Sequence, residues 1–205
     1  MKTGIVDYNM GNLSSVKNAF LKYGIEVQVE GDANSLKEFD KLILPGVGAF
    51  GDAMEHLKER GLDEAVKEFA KSGKPLLGIC LGMQLLFDKS EEFGSHLGLG
   101  LVPGEVRFFD KSKFQKRLKI PHMGWNKLFK QKNSPLLKGL EESFYLYFVH
   151  SYHAVCDDRY AIGKTFYGYE FASAVQKENV YGFQPHPEKS HNNGLKIIEN
   201  FIKEV

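Results

Sequence analysis

The chain has 205 residues, 42% hydrophobic and 26% charged, with a formal net charge of +1; it is long enough for one sizeable core, and so small a net charge argues against a general polyanion-binding surface while leaving room for a local basic patch. No apolar run approaches the roughly 18 residues of a membrane span, and the N-terminus MKTGIVDYNMGN has no signal-peptide core. Two cysteines, Cys80 and Cys156, with no CxxC pair, argue against a disulfide scaffold or a zinc ribbon, so a cytoplasmic protein with reduced thiols is expected.

The first half alternates strands and helices. TGIVDY (3–8) reads as a strand, and Asn12 caps a helix, LSSVKNAFLKYG, that Gly24 ends. IEVQVE (25–30) alternates as a strand, and KLILP (41–45) is a buried one. The spacing of Met54, Leu57, Ala65, Val66 and Phe69 predicts one helix from about Asp52 to Lys71. PLLGI (75–79) is another buried strand, and LGMQLLF opens a helix. Strands separated by helices imply βαβ units and a mostly parallel sheet.

The second half is aromatic and strand-rich. VPGEVRFF, HMGWNKLF, FYLYFVHSYHAV and AVQKENVYGFQPHP suggest antiparallel strands added to the parallel sheet, and GLKIIENFIKEV closes the chain as an amphipathic helix. The basic, aromatic stretch RFFDKSKFQKRLK (107–119) reads as a solvated hairpin rather than a nucleic-acid contact. There is no linker or repeat. The expected architecture is one α/β domain over residues 1–205, a three-layer, doubly wound, mostly parallel, flavodoxin-like sheet with added antiparallel strands.

Two glycine-rich turns compete for attention. Gly46-Val47-Gly48-Ala49-Phe50-Gly51 spells GxGxxG between a strand and a helix. A dinucleotide site also needs an acidic residue at the end of the next strand, and Cys80 stands there. A packing turn, or a loop offering backbone N–H groups to an anion, fits better. The second turn, Gly78-Ile79-Cys80-Leu81-Gly82, has the form of a nucleophile elbow with cysteine in place of serine. A helix start favours a thiolate, and the Leu81 amide points where an oxyanion would form. A free cysteine is also a common buried filler. The elbow alone leaves both readings open.

A base is supplied by Gln184-Pro185-His186-Pro187-Glu188-Lys189. Prolines hold His186 on both sides, and Glu188, two residues on, projects to the same face in extended chain. Cys80, His186 and Glu188 thus make a candidate triad. The imidazole pairs His150/His153 and His186/His191 match no zinc spacing, so no metal and no cofactor is expected.

PGVGAFGDAM, GICLGMQLLF, PHMGWN, FVHSYH and HPEKS, in this order and spacing, resemble the class I glutamine amidotransferases from about residue 4 to the C-terminus. PHMGWN and FVHSY resemble the subgroup of glutaminase subunits of imidazole glycerol phosphate synthases. The resemblance implies hydrolysis of L-glutamine by attack of Cys80, with His186 as base and Glu188 orienting it. It implies an oxyanion hole from Leu81 and from Gly46 and Val47, whose loop is thought to need a peptide flip before its N–H faces inward. Gln84 and Glu92 would hold the α-carboxylate and α-amine end of glutamine, and Ser151 and Tyr152 would line the pocket through backbone contacts. The implied partner is a separate (β/α)₈ barrel cyclase in a heterodimer, making imidazole glycerol phosphate and an aminoimidazole ribotide, with Asn12, Met123, Trp125, Tyr147 and Lys189 at or near the interface. No nucleic acid or membrane is implied.

Two positions depart from the pattern: Pro185, where an aromatic residue is frequent, and His153, where a second aromatic is common. They bear on the pathway, because paralogous glutaminases feed ammonia to surface-sugar amidation instead. A non-catalytic regulatory subunit, and a cysteine hydrolase acting on peptides, are the readings from other classes.

Overall fold

The buried apolar runs form the middle of one large sheet in the computed structural model, which describes residues 1–205. Strands β1 (Thr3–Val6), β2 (Val27–Glu30), β3 (Lys41–Leu44) and β4 (Leu76–Ile79) lie parallel in the order β2-β1-β3-β4. β1, β3 and β4 are buried at every position, as expected of parallel strands covered on both faces. Neighbouring residues alternate between two cores. Val6, Leu42 and Leu76 face one, Ile5, Ile43 and Leu77 the other.

Helix α1 (Leu13–Leu21) starts where Asn12 accepts the Ser15 N–H at 3.2 Å and ends before Gly24, at φ +68°. The single helix expected over residues 52–71 is instead two, α2 (Phe50–Glu59) and α3 (Leu62–Lys71). Gly61 causes the break: it sits between them at φ +65°, a left-handed conformation that turns the chain. Helix α4 (Leu81–Leu85) is one short segment directly after β4. It and the α2–α3 pair cover one face, and α1 packs with the C-terminal α5 (His191–Lys203) on the other.

The later strands are β5 (Lys89–Ser90), β6 (His96–Leu97), β7 (Glu105–Phe108), β8 (His122–Lys130), β9 (Ser143–His150), β10 (Tyr152–Val155), β11 (Ala161–Tyr167), β12 (Tyr169–Lys177) and β13 (Val180–Phe183). β13 extends the parallel set beside β4, and β12 returns antiparallel to it. FYLYFVHSYHAV is not one strand. It breaks at Ser151, with β9 pairing β8 while β10 pairs β7 and β12. That change of partner makes the corner that forms one wall of the site below.

The hairpin expected over residues 107–119 does not form. β7 ends at Phe108, and Asp110 caps a short 3₁₀ turn at Lys111–Lys113. The physical reason is aromatic: Phe109 is buried, with ring centroids 5.9 Å from Tyr169, 5.4 Å from Phe171 and 6.2 Å from Phe114. These rings anchor a loop on the sheet instead of pairing a strand.

One glycine fixes the central turn. A Cβ at Gly82 would lie 1.8 Å from the Leu44 carbonyl oxygen, a backbone atom that cannot yield. Gly82→Ala is therefore expected to destabilise the fold by about 3 kcal/mol, the upper range of overpacking, which is about 6–12 °C in Tm for a chain of this size. Thermal unfolding checks it.

Candidate active site

The carboxyl ends of β3, β4 and β13 lie side by side, which is where an open parallel sheet leaves a crevice. The register puts Phe183 beside Ile79, and Cys80 N–H donates to Phe183 O at 2.8 Å. Gln184, fully buried, gains its place from this pairing, and Pro121, just before β8, faces the same crevice; the sequence assigns neither a role. A cavity of about 400 Å³ opens there, lined by Val47, Gly48, Cys80, Leu81, Gln84, Glu92, Pro121, Val149, His150, Ser151, Tyr152 and His186. Every expected residue of the substrate pocket is among them. Gly46 lies just behind the rim, where an added Cβ would meet the Tyr8 hydroxyl at 2.5 Å and Leu81 Cβ at 2.9 Å.

Cys80 sits at φ +55°, ψ −113°. A side chain in this conformation is strained, by about 1–3 kcal/mol, and such strain concentrates at functional sites. It follows from the tight turn between β4 and α4. Cys156, by contrast, lies outside the cavity, and burial, with Asp158 and Asp157 nearby, pushes its thiol up to about 11. It is unsuited to attack.

His186 Nδ1 is 2.8 Å from Glu188 Oε1, and both side chains are almost fully buried. Its other ring nitrogen, Nε2, has no hydrogen-bond partner. Burial alone would make the ring less basic; the Cys80 sulfur and the Glu188 carboxylate more than reverse this and push its pKa up to about 10. The loop is pinned to β9, because His186 N–H donates to Tyr147 O at 2.9 Å and the Ser190 hydroxyl donates to His186 O at 2.6 Å. Pro185 thus leaves the histidine in place. The imidazoles weighed as metal ligands each have other partners: His150 lies against His122, His153 Nε2 is 2.7 Å from the Tyr169 hydroxyl, and His191 stacks on Trp125 at 4.9 Å.

The pocket's polar ends are also ordered. Gln84 Nε2 donates to Tyr152 O at 3.0 Å and to Gln184 Oε1 at 2.9 Å. Both its N–H groups are committed, so it offers an incoming group only an acceptor. Glu92 is not a free surface acid. Its Oε2 accepts Phe50 N–H at 2.7 Å, capping α2, which has no side-chain cap of its own. Burial pushes its carboxyl up, against the pull of that N–H. Gln84 and Glu92 thus both offer acceptors suited to an ammonium group in this cavity, and Ser151 and Tyr152 bring backbone to it. Gly48, at φ +102°, occupies a region that favours glycine, in the loop facing Cys80.

Asn12, Met123, Trp125, Tyr147 and Lys189 lie on elements around this end of the sheet. Asn12, Met123, Trp125 and Lys189 are exposed and Tyr147 is half-buried. Met123 is 63% and Trp125 46% exposed, so the single tryptophan is no core residue. No helix is long and apolar enough to cross a membrane.

Comparison with known proteins agrees with this architecture. The family described as class-I glutamine amidotransferase matches residues 4–205. A protein of Sulfurimonas denitrificans named imidazole glycerol phosphate synthase subunit HisH is 69% identical over 200 residues, covering 97% of this chain and 96% of that protein. One of Aquifex aeolicus with the same name is 49% identical over 207 residues, covering 100% and 98%. Among solved structures, PurLQS from Thermotoga maritima superposes with a TM-score of 0.78 at 20% identity over 99% of this chain and 98% of that one. A structure described as glutamine amidotransferase gives 0.76 at 19% identity, over 99% and 98%. At such identities these two report the fold alone.

Proposed function

The chain belongs to the class I glutamine amidotransferases, and on that premise we propose that it is the glutaminase subunit of an imidazole glycerol phosphate synthase, acting in histidine biosynthesis. The observation that carries the chemistry is the strained Cys80 facing one cavity with His186, whose Nδ1 is held by buried Glu188. The reading of the pathway rests on the names of relatives such as those of Sulfurimonas denitrificans and Aquifex aeolicus.

The Cys80 sulfur attacks the side-chain amide carbon of glutamine, and His186 holds the thiol proton as an imidazolium. The negative oxygen of the tetrahedral intermediate is met by the Leu81 N–H, the first amide of α4, which has no intrahelical partner, and by an amide of the Gly46-Val47 loop. One such donor contributes about 3 kcal/mol. The C–N bond then breaks, His186 gives its proton to the departing nitrogen, and ammonia leaves. Water, deprotonated by His186, attacks the γ-glutamyl thioester and releases glutamate. Gln84 and Glu92 receive the α-ammonium of the substrate, and backbone of Ser151 and Tyr152 meets its α-carboxylate.

The partner is a separate (β/α)₈ barrel cyclase that receives the ammonia. It docks on the exposed face of Met123 and Trp125, with Asn12, Tyr147 and Lys189 around it; a half-exposed tryptophan is a good anchor. His186 N–H is bonded to Tyr147 O, so a partner on this face touches the strand to which the catalytic loop is pinned. The purified chain alone is expected to release glutamate from glutamine slowly, and to reach full rate only with the cyclase and its nucleotide ligand. Full activity without the cyclase, or silence beside a cyclase that works with added ammonia, would overturn the proposed partnership.

A further inference from the structure

We infer that His122 and His150 form a hydrogen-bonded chain with a single proton order, set by Asn126, that positions the Tyr152 carbonyl and the Gln84 amide in the glutamine pocket. Asn126, His122 and His150 are then positioning residues for the hydrolysis proposed above, and the inference rests on that reading.

The order can be derived from either end. Tyr152 O only accepts, so His150 Nδ1, 2.8 Å away, must carry a proton. A neutral ring then presents a lone pair at Nε2. His122 Nδ1 lies 2.9 Å from that lone pair and must donate to it, which leaves His122 Nε2 as an acceptor. Asn126 Nδ2 stands 3.1 Å from it and donates. The asparagine cannot turn over. Its Oδ1 already accepts Lys127 N–H at 2.8 Å, and its Nδ2 also donates to Phe166 O at 3.0 Å. The two ends agree, and every ring nitrogen has a partner. Both rings are neutral, since burial pushes His122 down to about 4 and His150 well below its ordinary range.

Two buried histidines could simply be satisfied core residues. What sets these apart is where the chain goes next. Tyr152 O also accepts Gln84 Nε2, whose second N–H goes to Gln184 Oε1, and Gln184 Nε2 points at Cys80 Sγ from 3.9 Å. An unbroken series of donors and acceptors therefore runs from Asn126 on β8 to the nucleophile. His122 and His150 face each other directly in the β8–β9 register. A change in β8 has a defined route to the pocket, and a reversed proton order would set two acceptors, His150 Nδ1 and Tyr152 O, against each other.

The test begins with the unaltered protein in complex with its cyclase. ¹⁵N NMR of the imidazoles is expected to find both histidines neutral with the proton on Nδ1; a proton on Nε2 of either neutral ring overturns the inference without any variant. Asn126→Asp then keeps the shape but replaces the donor with an acceptor. It is expected to move a proton onto His122 Nε2 and to raise the KM for glutamine about ten-fold with a smaller change in kcat, the pattern of lost ground-state positioning. His150→Phe is expected to raise KM similarly, and adding His122→Phe to cost little more, because members of one chain are not additive. Altered tautomers with unchanged KM, or additive losses, would sink the positioning role. An unaltered complex that turns over no glutamine would overturn the functional reading and this role with it, while the tautomers would still report on the proton order.

Discussion

Cys80→Ala is expected to lower glutamine hydrolysis by about 10⁵-fold, the scale on which removal of a nucleophile acts, while leaving the cyclase reaction with added ammonia at its full rate. The second half of this expectation separates the readings. A regulatory subunit without catalysis would lose nothing in either assay, and a misfolded variant would impair both. The strain at φ +55° adds an independent readout. Alanine keeps a Cβ in the left-handed region and keeps the strain; Cys80→Gly removes it. The glycine variant should be as inactive as the alanine one yet about 1 kcal/mol more stable, since glycine reaches this conformation freely. Equal stability of the two would mean that the elbow stores no strain. Peptide cleavage by the unaltered chain, without glutamine turnover, would instead favour a peptide hydrolase on the same elbow.

Much of this arrangement is legible in the amino-acid sequence. The elbow, the proline-clamped histidine and its same-face carboxylate are local patterns, and local patterns survive folding. The buried strands are legible for the same reason, as short apolar runs that need cover on both faces. Three features are not. The α2–α3 break depends on Gly61 taking φ +65°, and a glycine within a periodic run gives no sign of whether it will turn the chain. The loop after β7 has the same basic, aromatic composition in either reading; only the packing of Phe109 against Tyr169 and Phe171 decides that it does not pair. Gln184 and Asn126 stand inside quoted motifs, QPHPEK and PHMGWN, but neither motif says what their side chains touch. Gln184 reaches Cys80 through the register of β13 on β4, and Asn126 reaches His122 through side-chain order across β8. Register is a property of distant segments, so the place of Gln184, and the His122–His150 contact to which Asn126 leads, become visible only when strands are paired.

Glu188→Gln is expected to lower kcat/KM about 10³-fold, somewhat less than the roughly 10⁴-fold typical of losing the orienting acid of a triad, and to move the alkaline limb of the pH–rate profile downward. The glutamine fits the same space and its oxygen can still face His186 Nδ1, 2.8 Å away in the native pair. What disappears is the buried negative charge. With Cys80 and Glu188 in place the imidazolium persists to about pH 10, so the unaltered enzyme should lose activity only as pH rises through that region. The limb belongs to the coupled Cys80–His186 pair. Without the carboxylate only Cys80 remains to oppose burial, and deprotonation comes earlier. The same proton affects stability with a definite sign. The imidazolium proton is the one the Cys80 thiol gives up, so the folded and unfolded chains hold equal numbers of protons on this pair until a free thiol titrates at roughly 8.5; from there to about pH 10 the native pair holds one proton more, and stability falls as pH rises through this window. In Glu188→Gln that fall should be shallower. Denaturant titrations at about pH 8.5 and pH 10, run beside the pH–rate profile, check both expectations. A limb that stays in place, with an undiminished rate, would remove Glu188 from the triad and leave it a packing neighbour of the histidine.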